Sequence, residues 1–137
     1  MRVLIADSDS ETGEELTSVL TLCVSDIEIF HTTSGKQCIN IVNSEHPDVV
    51  ILGICLSDMY CYSVISELRE ISEVPIIVIS YKKDGEEIER CLKIGANDYM
   101  VKPVKEIELV ARIKKLMTAN KNIEARKTID TGKQNTN

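Results

Sequence analysis

Three side chains able to do chemistry together stand at the ends of apolar runs. Asp7 closes the run 2–7, Ser80 closes 75–80, and Lys102 follows 98–101. Asp9 lies two residues beyond Asp7. In an open α/β sheet the carboxyl ends of the strands form the binding crevice, so these groups would converge there. A carboxylate, a hydroxyl and an ammonium in one crevice are parts of a phosphoryl-transfer centre. An aspartyl phosphate forms when a carboxylate attacks phosphorus while a hard divalent cation, a lysine and hydroxyl or backbone donors neutralise its oxygens. The run 47–53, by contrast, ends on Gly53, which offers no side chain at all. Each remaining residue also has a plainer role. Asp7 and Asp9 can satisfy backbone groups around a helix start, Ser8 is a good N-cap, and Ser80 can be an ordinary turn residue.

The elements that must position these residues alternate. Strand candidates are 2–7, 26–32, 48–52, 75–80 and 98–101; most are too uniformly apolar to be half solvated, which favours a parallel sheet covered on both faces. Between them apolar residues recur at helical spacing: Leu16, Val19, Leu20 and Cys23; Val64, Ile65, Leu68 and Ile71; Ile88, Cys91 and Leu92; then Leu109, Val110, Ile113, Leu116 and Met117. Ser8-x-x-Glu11, Ser34-x-x-Gln37 and Asp84-x-x-Glu87 read as capping boxes at helix starts. Right-handed crossovers then give a doubly wound five-stranded parallel sheet of five βα units.

The runs VLIADSD at 3–9, VPIIVIS at 74–80 and GANDYMVKP at 95–103, with Gly53 and the loop 54–59, closely resemble the CheY-like receiver domain of bacterial response regulators, over residues 1 to about 118. The resemblance implies a flavodoxin-like α/β fold and places the phosphoacceptor aspartate where this chain has Gly53. It sets Asp7 and Ser8 at the acidic pair that holds Mg²⁺, with Ser8 replacing the direct ligand. Ser80 and Tyr99 fall at the switch positions, Lys102 at the phosphate-binding lysine and Pro103 at a cis proline. Tyr81 replaces a small residue and would narrow the opening. What remains for a cation is Asp7, Asp9 and the backbone carbonyl of Cys55, so Mg²⁺ binding is expected to be weak or absent. The expected protein is therefore a degenerate, non-enzymatic receiver acting without aspartate phosphorylation. Arg90, Lys93, Asn97, Asp98, Glu108, Arg112 and Lys115 would line its output face, and Asp98, Glu108 and Arg112 match the inter-subunit ion pairs of an OmpR-type homodimer. A solvated charged face is the plainer reading of the same residues. Other classes stay open: a receiver phosphorylated at a displaced acid such as Asp58 or Asp9, or a flavodoxin-like domain binding a small molecule.

Composition agrees with one small domain. The chain has 137 residues, 43% of them hydrophobic, and a net charge of -6, which argues against gripping a phosphate backbone directly. DNA contact is expected only through an output domain outside this chain, and a sensor kinase or another signalling protein is an expected partner. No apolar stretch approaches the roughly 20 residues of a membrane span, and no signal core opens the chain, so a cytoplasmic site is expected. Five scattered cysteines read as reduced thiols. From Ala119 the sequence becomes polar and locally basic, which predicts a linker or tail over 119–137. Its stretch 127–132 resembles the opening of the small sheet before a winged-helix domain.

Overall fold

The computed structural model describes the backbone of residues 1–135 and the side chains of residues 1–120. Its elements are β1 (Arg2–Ala6), α1 (Ser10–Cys23), β2 (Glu28–Thr32), α2 (Gly35–Glu45), β3 (Val49–Gly53), α3 (Cys61–Ile71), β4 (Ile76–Ser80), α4 (Gly85–Ile94), β5 (Asp98–Val101) and α5 (Glu106–Asn135). All four strand pairings are parallel, in the order β2-β1-β3-β4-β5. The strand order therefore reverses at β1 and β3, which puts the ends of these two strands at the crevice where such sheets bind ligands.

Strand periodicity sorts the core into two layers. Leu4, Ala6, Val50, Leu52, Ile76 and Val78 face one side, where Val42, Val64, Ile65, Leu68 and Cys91 of α2 to α4 cover them. Val3, Ile5, Val49, Ile51, Ile77 and Ile79 face the other, against Leu16 and Leu20 of α1 and Leu109 and Ile113 of α5. Each fully buried Leu or Ile contributes roughly 1.5–3 kcal/mol of transfer free energy, so both faces must be covered for the sheet to persist.

Ends of elements differ from the sequence expectation in instructive ways. The N-cap of α1 is Asp9, not Ser8, because the Asp9 carboxylate reaches both the Glu11 N–H at 3.0 Å and the Thr12 hydroxyl at 3.0 Å. Ser34 and Asp84 cap α2 and α4 as their spacing predicts. β2 starts at Glu28 rather than 26, since Asp26 takes the left-handed φ of 55° in the preceding turn. The predicted linker is helical in backbone, with α5 continuing to Asn135 through the stretch 127–132. Ala, Lys, Glu and Arg are strong helix formers, and no proline interrupts them. Side chains beyond Asn120, and residues 136 and 137, lie outside the described residues.

Candidate functional site

The crevice is closed by an ion pair. Asp7 lies just past β1 and is buried, as is most of Lys102, which lies just past β5; their side chains are 5% and 10% exposed. Lys102 Nζ donates to Asp7 Oδ2 at 2.9 Å and to the Thr12 hydroxyl at 3.4 Å. Asp7 Oδ1 accepts the Asp9 N–H at 2.9 Å. The peptide bond between Lys102 and Pro103 is cis, as expected.

Gly53 ends β3 directly beneath this pair. A β-carbon there would lie 2.6 Å from Asp7 Oδ2 and 2.7 Å from its Cγ. The Asp7 carboxylate thus fills the volume that any side chain at position 53 would need. Tyr81 is 69% exposed and its ring lies 5.3 Å from Lys102 Nζ, a cation–π contact on the solvent side of the pair.

The carboxylate oxygens nearest the crevice are already engaged within the chain. One oxygen of Asp7 accepts from Lys102 and the other from the Asp9 amide, while both Asp9 oxygens cap α1. These capping bonds, chiefly that from the Thr12 hydroxyl, hold the Asp9 carboxyl below its ordinary range. Ser8 adds no carboxylate. Among the described residues no group of three or more His, Cys, Asp or Glu is placed to hold a metal.

Ser80 and Tyr99 meet at the loop after β4. Ser80 is buried, and its hydroxyl oxygen accepts the Lys82 N–H at 3.0 Å. Tyr99 is also buried, and its hydroxyl donates to the Lys82 carbonyl at 2.9 Å. Burial pushes the Tyr99 phenol up from its usual range, so it remains a donor.

The family shows in the match itself. A family model described as the response regulator receiver domain matches residues 3–114. The chain belongs to the response regulator receiver family. Among curated relatives, the DNA-binding response regulator MtrA of Mycolicibacterium paratuberculosis is 35% identical over 119 residues, covering 87% of this chain and 52% of that protein. The probable transcriptional regulator ycf27 of Cyanophora paradoxa is 31% identical over 121 residues, covering 88% and 50%. The receiver spans about half the length of the curated relatives it matches. A putative response regulator from Chloroflexus aurantiacus superposes with a TM-score of 0.79 at 27% identity, over 85% of this chain and 97% of that one. A two-component response regulator from Clostridium difficile gives 0.81 at 25%, over 86% and 96%. These likenesses establish the receiver fold, a signalling role in two-component systems, and kinship with regulators of transcription.

Other residues singled out in the sequence are placed clearly. Asp58 lies apart from the Asp7–Lys102 pair in its bonding: it accepts from the Gly35 N–H at 2.6 Å, the Ser34 hydroxyl at 3.0 Å and the Lys36 N–H at 3.2 Å, capping α2 from outside. Those bonds, led by that from Gly35, hold its carboxyl below the usual range. Asp98, Glu108 and Arg112 form one network within the chain, with Arg112 2.6 Å from each acid. Arg90 packs over the Tyr62 ring, Asn97 accepts from Arg69, and Lys93 and Lys115 are exposed. Among the described residues no helix is long and apolar enough to cross a membrane. Thr12, Lys82, Tyr60, Tyr62 and Glu87 carry contacts that sequence reading missed, because single polar residues in loops and first helical turns leave no periodic signal.

Proposed function

We propose that this receiver works without aspartate phosphorylation, as a module that presents a protein surface, in a signalling system that regulates transcription. The observation carrying the reading is the Asp7 carboxylate, which occupies the space above Gly53 and is neutralised there by Lys102. A lysine tied at 2.9 Å to a buried carboxylate has little charge to offer an incoming phosphoryl group. The engaged oxygens of Asp7 and Asp9 support a centre that does not use Mg²⁺. Acetyl phosphate with Mg²⁺ should leave no acid-labile phosphate on the protein; stoichiometric labelling would sink the proposal.

Output runs through the face made by α4, β5 and α5, by homodimerisation in the OmpR manner. Exposed Leu92 and Ile107 on that face favour such contact. Because Arg112 already binds Asp98 and Glu108 in its own chain, a dimer would share this network between protomers or exchange it. Sensor kinases and other signalling proteins are candidate partners, and DNA would be reached through an output domain outside this chain. The displaced-acid alternative is less favoured, since capping of α2 occupies both oxygens of Asp58. A metabolite-binding role fares no better: the cavity beside Lys102 and Tyr81 holds about 110 Å³, below the few hundred Å³ of typical ligand pockets.

A further inference from the structure

Helix α4 is weakly seated by apolar burial. Of its residues only Cys91 is fully buried, and Leu92 remains 43% exposed. Polar contacts on its first two turns tie it to its surroundings instead. Glu87 accepts hydrogen bonds from the hydroxyls of both Tyr60 and Tyr62, at the start of α3. Tyr60 and Tyr62 pack edge to face with centroids 4.9 Å apart, and Arg90 lies over the Tyr62 ring at 5.0 Å. Lys82 Nζ donates to the Tyr60 hydroxyl at 3.3 Å. The backbone of Lys82 is itself held on both sides, its N–H by Ser80 and its carbonyl by Tyr99.

We propose that this network, centred on Glu87, is an internal latch that fixes α4 and the loop after β4 against α3, so that the output face has one set position with no phosphoryl group present. The proposal rests on the phosphorylation-independent reading and supplies what that reading lacks, a structural cause for a fixed α4. Hydrogen bonds to a carboxylate are about twice as strong as neutral ones, and the one from Tyr62, with a longer contact from Tyr60 at 3.4 Å beside it, falls on one residue of a helix that has little core of its own. Burial, and then the neighbouring Glu87 carboxylate, push the Tyr62 phenol up, which keeps it protonated and donating.

The seam beneath the latch contains its own reporters. Cys61 of α3 and Cys91 of α4 are fully buried there, whereas Cys38, in the same apolar layer, is buried on α2, a helix none of whose residues takes part in the contacts of the network. With exposed Cys23 and Cys55 changed to Ser, native-state alkylation read by peptide mass spectrometry follows all three thiols at once. Glu87→Ala should speed labelling of Cys91 and Cys61 at least tenfold, with Tyr62→Phe giving a smaller increase, while Cys38 changes less than threefold. Unchanged rates at Cys91 would overturn the latch. So would a rise at Cys38 by the same factor, since the network would then support the whole fold and not α4. The assay contains no phosphoryl donor, so its outcome is separate from that of the acetyl phosphate test.

Discussion

Replacing Lys102 by Ala tests the centre of the crevice most directly. The variant removes the ammonium that lies 2.9 Å from Asp7 and leaves a carboxylate whose side chain is only 5% exposed. Asp7 would keep one described donor, the Asp9 amide. Orphaning one partner of a buried pair typically costs about 3–5 kcal/mol; water entering beside Tyr81 would relieve part of it, so about 2–3 kcal/mol is expected. For a domain of this size each kcal/mol lowers Tm by roughly 3–5 °C, giving a fall of about 10 °C by calorimetry at neutral pH. The combination Asp7→Asn with Lys102→Met should recover most of that loss, because no charge is then left unpaired. A Lys102→Ala melting temperature within about 1 °C of wild type would refute the reasoning and make the lysine structurally idle.

Gly53→Ala should destabilise by about 1–3 kcal/mol, because its β-carbon cannot coexist with the Asp7 carboxylate where it now lies. Gly53→Asp should label poorly with acetyl phosphate, and only after Tyr81→Ala and Ser8→Asp are added should uptake rise; efficient labelling of the single variant would show those departures to be unimportant. The Asp58 carboxyl is held below its ordinary range by the bonds it accepts, chiefly from Gly35, so its capping contributes fully above the ordinary carboxylate range and the benefit disappears as pH falls through the lowered value. The Tm gap between wild type and Asp58→Asn should therefore narrow in acid, and a gap that widens would reverse the assignment. Sedimentation across micromolar concentrations should show a wild-type dimer that Asp98→Arg weakens and Arg112→Asp partly restores; a protein monomeric throughout would refute constitutive dimerisation.

The centre of the sheet was legible because β1, β3 and β4 are near-continuous apolar runs, whereas edge strand β2 carries Glu28 and His31 and was the least well bounded. Run 48–52 needed to move by only one residue, and Lys102 and Pro103 fell where their neighbours implied. What the sequence hid is directional. It places Asp7 at the mouth of the crevice but says nothing of which way the carboxylate turns, and so of its occupation of the space above Gly53. Ser8 and Asp9 are equally good caps on paper; only backbone geometry selects Asp9. Glu87 looked like the closing half of a capping box, yet two phenols from another helix compete for it and win. Asp98, Glu108 and Arg112 were read as an inter-subunit set, and the sequence does not show that Arg112 lies 2.6 Å from each acid within one chain.

The close approach of position 53 to Asp7 ties the glycine to the state of its neighbour. An acid introduced at 53 would meet the volume that the Asp7 carboxylate fills, so it could be accommodated only if Asp7 turned away from Lys102. Position 53 and the Asp7–Lys102 pair are in this sense one unit: neither can be redesigned without moving the other.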